Sequence, residues 1–298
     1  MNQEMMNTKE VAEYLNLNEK KVYALIKEGE IPCTKITGKW IFPKNLIDKW
    51  IEDSVQGTKA LEGIENITII GSHDLSIDLL ASEVNKKFPQ LILLSANLGS
   101  IGGLISLKRG RSHIAGAHLF HPETDEYNLP YLPKYLPKLE SVVVNFVYRE
   151  QGLIVQPGNP LNISGFEHLC HPNVRFINRQ EGAGTRLLLD YHLKQLGIEG
   201  NQIRGYNHQV STHTEVATAI RNEQADVGLG VLSAAMSFGL EFIPITKERF
   251  DLIIPKAYFY TEPIQELLEI VRSENFIHKV EQMGGYDIKD TGKVLVWR

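Results

Sequence analysis

The sequence predicts an α/β protein in two parts, a large bilobal α/β domain preceded by a small module of short helices and a hairpin. Three observations carry this. From residue 64 onward, apolar runs of strand length alternate with amphipathic helical patterns, the signature of parallel βαβ units. Two apolar runs, Val142 to Tyr148 and Phe250 to Pro255, read as strands crossing between two such α/β sets. Residues 8 to 51 form a compact pattern of their own, and 298 residues suit about two domains.

Composition narrows the function. With 43% hydrophobic and 22% charged residues the chain is a globular protein, so disorder is excluded for most of its length. A net charge of -5 argues against a chain-wide nucleic-acid coat but allows one small DNA-binding module. The two cysteines, Cys33 and Cys170, are too few for a disulfide framework or a thiolate metal site. That fits a reducing compartment. The first ten residues hold no basic n-region and no apolar h-region, and no window approaches the roughly 18 apolar residues of a membrane span. A cytoplasmic location and no membrane partner are expected.

In the small module, Thr8 and Glu10 open a helix with Val11, Tyr14 and Leu15 inward, and Asn16 to Asn18 break it. Glu19 to Lys27 make a second helix on Val22, Leu25 and Ile26. Thr34 to Ile36 and Lys39 to Phe42 alternate around Thr37-Gly38 as in a hairpin. Pro43 precedes a last helix packing Leu46, Ile47 and Trp50. Through Thr8 to Leu15, Val22 to Ile26, Gly29-Glu30-Ile31-Pro32 and Gly38 to Pro43, residues 1–53 resemble the excisionase-like winged helix-turn-helix family. The resemblance implies double-stranded operator DNA as a partner. It places Asn18, Lys20, Lys21, Tyr23 and Lys27 in the major groove, with Lys35 and Lys39 on the wing. Residues 1 to 56 hold eight Lys, no Arg and nine acidic residues, so the lysines must be segregated onto one face.

Residues 54–63, with mixed small and polar character, read as a linker. Beyond it, strands over 67–70, 91–95 and 113–117 alternate with helices over 76–87 and 104–108. Loops at 71–74 and 97–103 carry Ser72 and Ser100 at strand carboxyl ends, where open α/β sheets bind ligands. Each serine suits donation to an oxyanion; each equally suits a plain helix N-cap. In the second α/β set a strand over 174–177 leads through Gly182-Ala183-Gly184-Thr185-Arg186 into a helix that stops at Gly197. First-turn amides lack intrachain acceptors, so Gly182 to Thr185 can wrap an anion, with the Thr185 hydroxyl and Arg186 fork adding donors. A tight turn with Arg186 on a surface carboxylate is the other reading.

Residues 64–298 are similar to type II periplasmic-binding-protein folds, and more narrowly to the molybdate-binding-protein-like domain. The stretches that carry this are Gly71 to Asp74, Gly99 to Gly103, Gln151 to Pro160, Phe176 to Arg186, Thr212-His213, Ala225 to Gly230 and Glu248 to Asp251. The resemblance implies lobe 1 over 64–146 and 251–298, lobe 2 over 147–250, and a cleft contacting ligand through Ser72, Ser100, Gly182, Ala183, Gly184, Thr185, Arg186 and His213. Donors alone suffice for a fully deprotonated tetrahedral oxyanion, which favours molybdate or tungstate. Asp74 and Glu181 would repel such a dianion and suit helix N-termini or partnership with Arg149, Arg179 or Arg186. His73, His118 and His213 can line the cleft, but their spacing fits no zinc motif. No P-loop, nucleophile elbow or dinucleotide fingerprint is present, so no catalytic residue, cofactor or metal is expected. The favoured reading is a ligand-responsive transcription regulator, a homodimer or higher homo-oligomer, sensing a small anion. A small carboxylate effector is the alternative. An enzyme or a ligand sensor without DNA affinity on the same fold are the readings of another class.

Overall fold

In the computed structural model, residues 5–54 and 66–297 are described, and the chain divides into compact units Met1–Gly63 and Ile64–Arg298. The expected linker lies, beyond Ser54, outside the described residues.

The first unit comprises β1 (Met5–Met6), α1 (Thr8–Tyr14), α2 (Glu19–Glu28), β2 (Thr34–Ile36), β3 (Lys39–Pro43) and α3 (Lys44–Ser54), with sheet order β1-β3-β2. Asn7 caps α1 in a capping box with Glu10, Asn18 caps α2, and Gly29 in the left-handed region ends it. The wing turns on Thr37 and Gly38, both at positive φ (48° and 83°), as a two-residue hairpin with right-handed strand twist requires. The core is Met6, Val11, Ala12, Val22, Leu25, Ile31, Phe42 and Ile47. Leu15, Ile26 and Trp50 pack against it partly buried, and two further residues expected in the core, Tyr14 and Leu46, are exposed. Tyr14 is 47% exposed and donates its hydroxyl to Asp48 Oδ1 at 2.6 Å, so its polar tip holds it at the rim. Leu46, 43% exposed, sits a third of a turn off the stripe that buries Ile47.

The second unit begins with β4 (Asn66–Gly71), α4 (Leu75–Lys87), β5 (Ile92–Asn97), α5 (Gly99–Lys108), β6 (Ile114–Ala117), β7 (Phe120–His121), β8 (Glu126–Tyr127) and α6 (Leu132–Tyr135). β9 (Ser141–Val155) leads to β10 (Phe176–Arg179), α7 (Gly184–Gln195), β11 (Gln209–Val210), α8 (His213–Arg221), β12 (Val227–Val231) and α9 (Leu232–Ser237). β13 (Glu241–Pro255) returns to α10 (Lys256–Phe259), α11 (Glu262–Val271), α12 (Glu274–Gln282), β14 (Tyr286–Asp287) and β15 (Val294–Trp297). The sheet order is β11-β10-β12-β9-β13-β6-β4-β5, with β14 and β15 also on β9.

Two differences from the sequence reading matter. β9 and β13 are single strands of 15 residues paired antiparallel from Ser141↔Pro255 to Val155↔Glu241, where the sequence reading has only the shorter crossing runs Val142 to Tyr148 and Phe250 to Pro255. The polar residues beyond those runs, Arg149 to Gln151 and Thr246 to Arg249, stay in the ladder, where Arg149 and Gln151 both bond Glu248. The other difference is that α5 starts at Gly99, not near Leu104. Gly103 sits inside its first turns because α5 lies tight on β4: a Cβ there would meet Ile70 O at 2.5 Å.

β4, β5 and β6 are mutually parallel, as are β10, β11 and β12, so each set delivers its strand carboxyl ends to the middle of the unit. Lobe 1 packs Ile67, Leu80, Phe146, Phe250, Leu267 and Phe276 on one face, with Leu104, Leu132, Val143 and Ile253 on the other. Lobe 2 does the same with Leu153, Phe176, Leu189 and Leu229, and with Ile154, Val216, Ile220 and Ala234.

Candidate functional site

The lobes meet through the N-termini of two helices. Neither α5 nor α7 has a side-chain cap, and Leu187 N–H is the first α7 amide to find an acceptor, in Ala183 O. The amides of Gly184, Thr185 and Arg186 are therefore donors at a positive helix end. Ile101 N–H donates to Gly182 O at 3.2 Å across the lobes, and a Cβ on Gly99 would meet that same carbonyl at 2.9 Å. On Gly184 it would strike His118 O at 2.6 Å, so glycine is required for this approach.

Around this contact lies a buried polar cluster. Ser72 Oγ and Ser100 Oγ are 2.9 Å apart, and His118 N–H donates to Ser100 Oγ at 3.2 Å. Only one hydroxyl proton is used between the two serines, so the pair keeps one to offer. Glu248 is the hub: it accepts from Arg149 Nε, from Gln151 Nε2 at 3.2 Å and from the His118 ring through Nδ1 at 2.7 Å. Gln151 Nε2 also donates to Thr185 Oγ1 at 2.9 Å. Arg149 Nη1 reaches Asp74 Oδ2 at 2.6 Å, while Asp74 caps α4 and accepts from the Tyr286 hydroxyl at 3.0 Å. His213 N–H donates to His73 Nδ1 at 3.3 Å.

The charges are unevenly matched. Burial opposes the charged form of Arg149, yet Glu248 and Asp74 outweigh it and hold its pKa above the ordinary value. Arg179, 1% exposed, has no carboxylate partner; its one bond is Nη2 to Ser211 O at 2.7 Å, and Nε and Nη1 find no partner among the described residues. Burial, reinforced by Arg149, pulls its pKa down to about 9. Burial also keeps His73, His118 and His213 neutral, His73 falling to about 4. Further side-chain atoms of this cluster without a partner among the described residues are Arg149 Nη2, Gln151 Oε1, His118 Nε2 and both ring nitrogens of His213.

Of the residues read from the sequence, Ser72, Ser100, Gly184, Thr185 and His213 come together here. Gly182 and Ala183 serve the turn: Gly182 has φ +80° and spends its carbonyl on Ile101, and Ala183 spends its amide on Gln180 O. Arg186 is turned away, its Nε on Asp190 at 3.1 Å and its guanidinium 4.1 Å from the Tyr206 ring centroid. The unpaired guanidinium is that of Arg179 instead. Gln151 and Glu248 escaped the sequence reading as site residues. Their signal is polarity in the middle of strands apolar at both ends, which shows only once β9 and β13 are read as continuous.

On the first unit, Lys20, Tyr23 and Lys27 share one exposed face of α2, with Lys21 beside it. Asn18 is occupied as the α2 cap, accepting from Lys21 N at 2.9 Å. Lys35 and Lys39 are exposed on the wing, Lys35 lying 5.3 Å over Trp40. Among the described residues no helix is long and apolar enough to cross a membrane, and no group of three His, Cys, Asp or Glu is placed to hold a metal ion.

Residues 5–54 match the helix-turn-helix domain and residues 81–272 the PBP superfamily domain. The chain is similar over 96% of both lengths to the uncharacterized protein YvgK of Bacillus subtilis (strain 168), at 30% identity over 299 residues. Among solved structures it resembles a substrate-binding protein with bound phosphate from Clostridium perfringens (TM-score 0.54, 14% identity, 73% of this chain and 97% of that one). It also resembles the tungstate ABC transporter of Geobacter sulfurreducens (TM-score 0.53, 11% identity, 73% and 98%). At such identities these structures speak for the fold alone. A winged helix-turn-helix module thus precedes a bilobal, type II periplasmic-binding-protein-like domain, and the chain belongs to the PBP superfamily in this two-domain form.

Proposed function

We propose that this chain is a ligand-responsive DNA-binding transcription regulator, working in the cytoplasm, whose bilobal domain senses a small anion. One observation carries the ligand half: Arg179 is buried and makes no ion pair among the described residues, between lobes that also present two helix N-termini without side-chain caps. A buried guanidinium without a counter-charge costs several kcal/mol, and an anion seated there repays that cost. The proposed contacts are Ser72, Ser100, Gly184, Thr185, Arg179 and His213. Closing the lobes over the ligand would shift the relation between paired winged modules, and so operator affinity, through unequal binding to two states.

Sequence resemblance puts molybdate and tungstate first within the oxyanion class. A small organic acid is the second reading, favoured by Gln151 Oε1, an acceptor with no partner beside the donors. Both meet one test. The full chain is titrated with molybdate, tungstate, sulfate, phosphate and small carboxylates in a thermal-shift series, and its binding to DNA from upstream of its own gene is followed with and without the stabilising anion. Stabilisation by an anion, together with salt-dependent DNA binding that the anion alters, is expected. Absence of DNA binding at low salt would refute the regulator reading.

A further inference from the structure

The buried polar cluster between the lobes has acceptors as well as donors without a partner among the described residues, and the bonding around Glu248 fixes which atoms they are. Glu248 accepts only, its carboxylate favoured against burial by Arg149 and His118. The His118 nitrogen 2.7 Å from it, Nδ1, must therefore carry the proton, which leaves Nε2 of the neutral ring as a bare lone pair. The same reasoning orients Gln151. The amide atom shared between Glu248 Oε1 and Thr185 Oγ1 has to be the NH2 group, so the carbonyl Oε1 is the atom left over. Both acceptors are buried, with His118 1% and Gln151 0% exposed, and neither finds a donor among the described residues.

The donors left over are Arg179 Nε and Nη1, Arg149 Nη2, the one N–H of the neutral His213 ring, the first-turn amides of α7 and one proton of the Ser72–Ser100 pair. A ligand with anionic oxygens alone satisfies these and leaves His118 Nε2 and Gln151 Oε1, with the second nitrogen of His213, as buried acceptors facing lone pairs. A buried acceptor without a partner, set against an anionic oxygen, costs on the order of tenfold or more in affinity. We infer that the ligand of this cleft is an anion that carries its own O–H or N–H donor, a protonated oxyanion or a hydroxy- or amino-carboxylate, and that His118 Nε2 and Gln151 Oε1 are the residues that select it. The inference rests on the anion-sensor reading and narrows it away from fully deprotonated tetrahedral oxyanions.

The remaining charged and titratable groups around His118 do not supply the missing proton. From β9, Arg149 faces it as a fixed cation; from β10, Arg179 does the same; from β13, Glu248 accepts its Nδ1 proton. From α8, neither ring nitrogen of His213 makes a hydrogen bond among the described residues, and His73 next to α4 spends its Nδ1 lone pair on His213 N–H. Asp74 is spent on Arg149, Tyr286 and the α4 cap.

Matched pairs of probes test this on the full chain by calorimetry at pH 7.5: inorganic phosphate against sulfate, and glycolate against acetate. Each pair differs chiefly in one donor. The expected result is that the donor-bearing member of one pair binds at least tenfold more tightly than its mate, and than molybdate or tungstate. A preference within the phosphate pair identifies a protonated oxyanion, and one within the glycolate pair a hydroxy-carboxylate. Gln151→Met and His118→Phe should shrink that preference toward unity. A comparable loss with both members, the preference intact, would assign these residues to folding and overturn their selecting role. Sulfate, molybdate or tungstate binding as tightly as phosphate, or binding with uptake of one proton measured in buffers of different ionisation enthalpy, would overturn the donor requirement while leaving the anion-sensor reading standing. If no anion binds at all, that reading fails and this inference with it.

Discussion

Arg149 on β9 and Arg179 on β10, two strands of one sheet with β12 between them, are equally buried, yet their environments assign them opposite energetic roles. Arg149 is the positive centre of an ion-pair network with Asp74 and Glu248. Replacing it by Met strands two buried carboxylates, and Arg149→Met is expected to cost about 3–5 kcal/mol in urea unfolding. Arg179 offsets no carboxylate. Arg179→Met should leave the ligand-free protein as stable as the parent or about 1 kcal/mol more so, while abolishing any anion-induced thermal shift. A destabilisation like that of Arg149→Met would show that Arg179 serves the fold. The histidines set a pH dependence. His73, neutral in the folded protein down to about pH 4 but with an ordinary value of 6.5, excludes a proton that the unfolded chain binds. Stability should therefore be full above pH 6.5 and fall as pH drops toward 4, by up to about 3 kcal/mol from His73 alone. His118 and His213 act in the same direction. Circular-dichroism melts at pH 7, 6 and 5 read this directly, and His73→Asn should flatten part of the slope.

Among the elements, the helices that frame the candidate site are positioned by glycines that allow backbone to touch backbone. Gly103 lets α5 lie on β4, and Gly103→Val, whose Cβ would sit 2.5 Å from Ile70 O, should cost about 2 kcal/mol or more by prying the helix off the sheet. Gly184 has an ordinary φ, so alanine fits its backbone, but the added Cβ falls 2.6 Å from His118 O on the opposite lobe. Gly184→Ala is expected to weaken anion binding strongly with a smaller effect on ligand-free unfolding, because it obstructs the meeting of the lobes rather than either lobe's core. Equal losses in both measurements would count against that assignment. In the small unit Asn18 spends its side chain on the α2 cap. Asn18→Ala should thus lower stability by about 1 kcal/mol and weaken DNA binding without changing base preference, whereas Lys20 and Lys27 substitutions should flatten the salt dependence.

At the scale of the whole molecule, the two units have separate cores, which predicts that residues 64–298 fold alone and keep the anion response of the full chain. Coupling between anion and operator must be reciprocal: whatever factor the anion changes DNA affinity by, DNA changes anion affinity by the same factor. Calorimetry of the full chain with and without operator checks the equality. A homodimer or larger assembly is expected from paired half-site recognition, and light scattering of the full chain during gel filtration measures it.

The two-part architecture, the helix-turn-helix with its wing and the alternating α/β order were legible in the sequence because each rests on local signals. Period-3.6 stripes, capping residues and the Thr37-Gly38 turn act within a few residues of themselves. So did the strand-end serines and the Gly184-Thr185 helix start. The sequence could not reveal that Arg149, Gln151 and Glu248 belong inside two continuous strands, since their polarity reads as a break until pairing between residues a hundred positions apart satisfies it. Nor could it tell Arg186 from Arg179. Arg186 faces Asp190 one helical turn away and Tyr206 beyond it, while among the described residues the fold brings no carboxylate within ion-pair distance of Arg179. Local sequence fixes which groups a segment can offer; which of them remain unsatisfied is decided by tertiary burial, where every donor and acceptor is matched or left over.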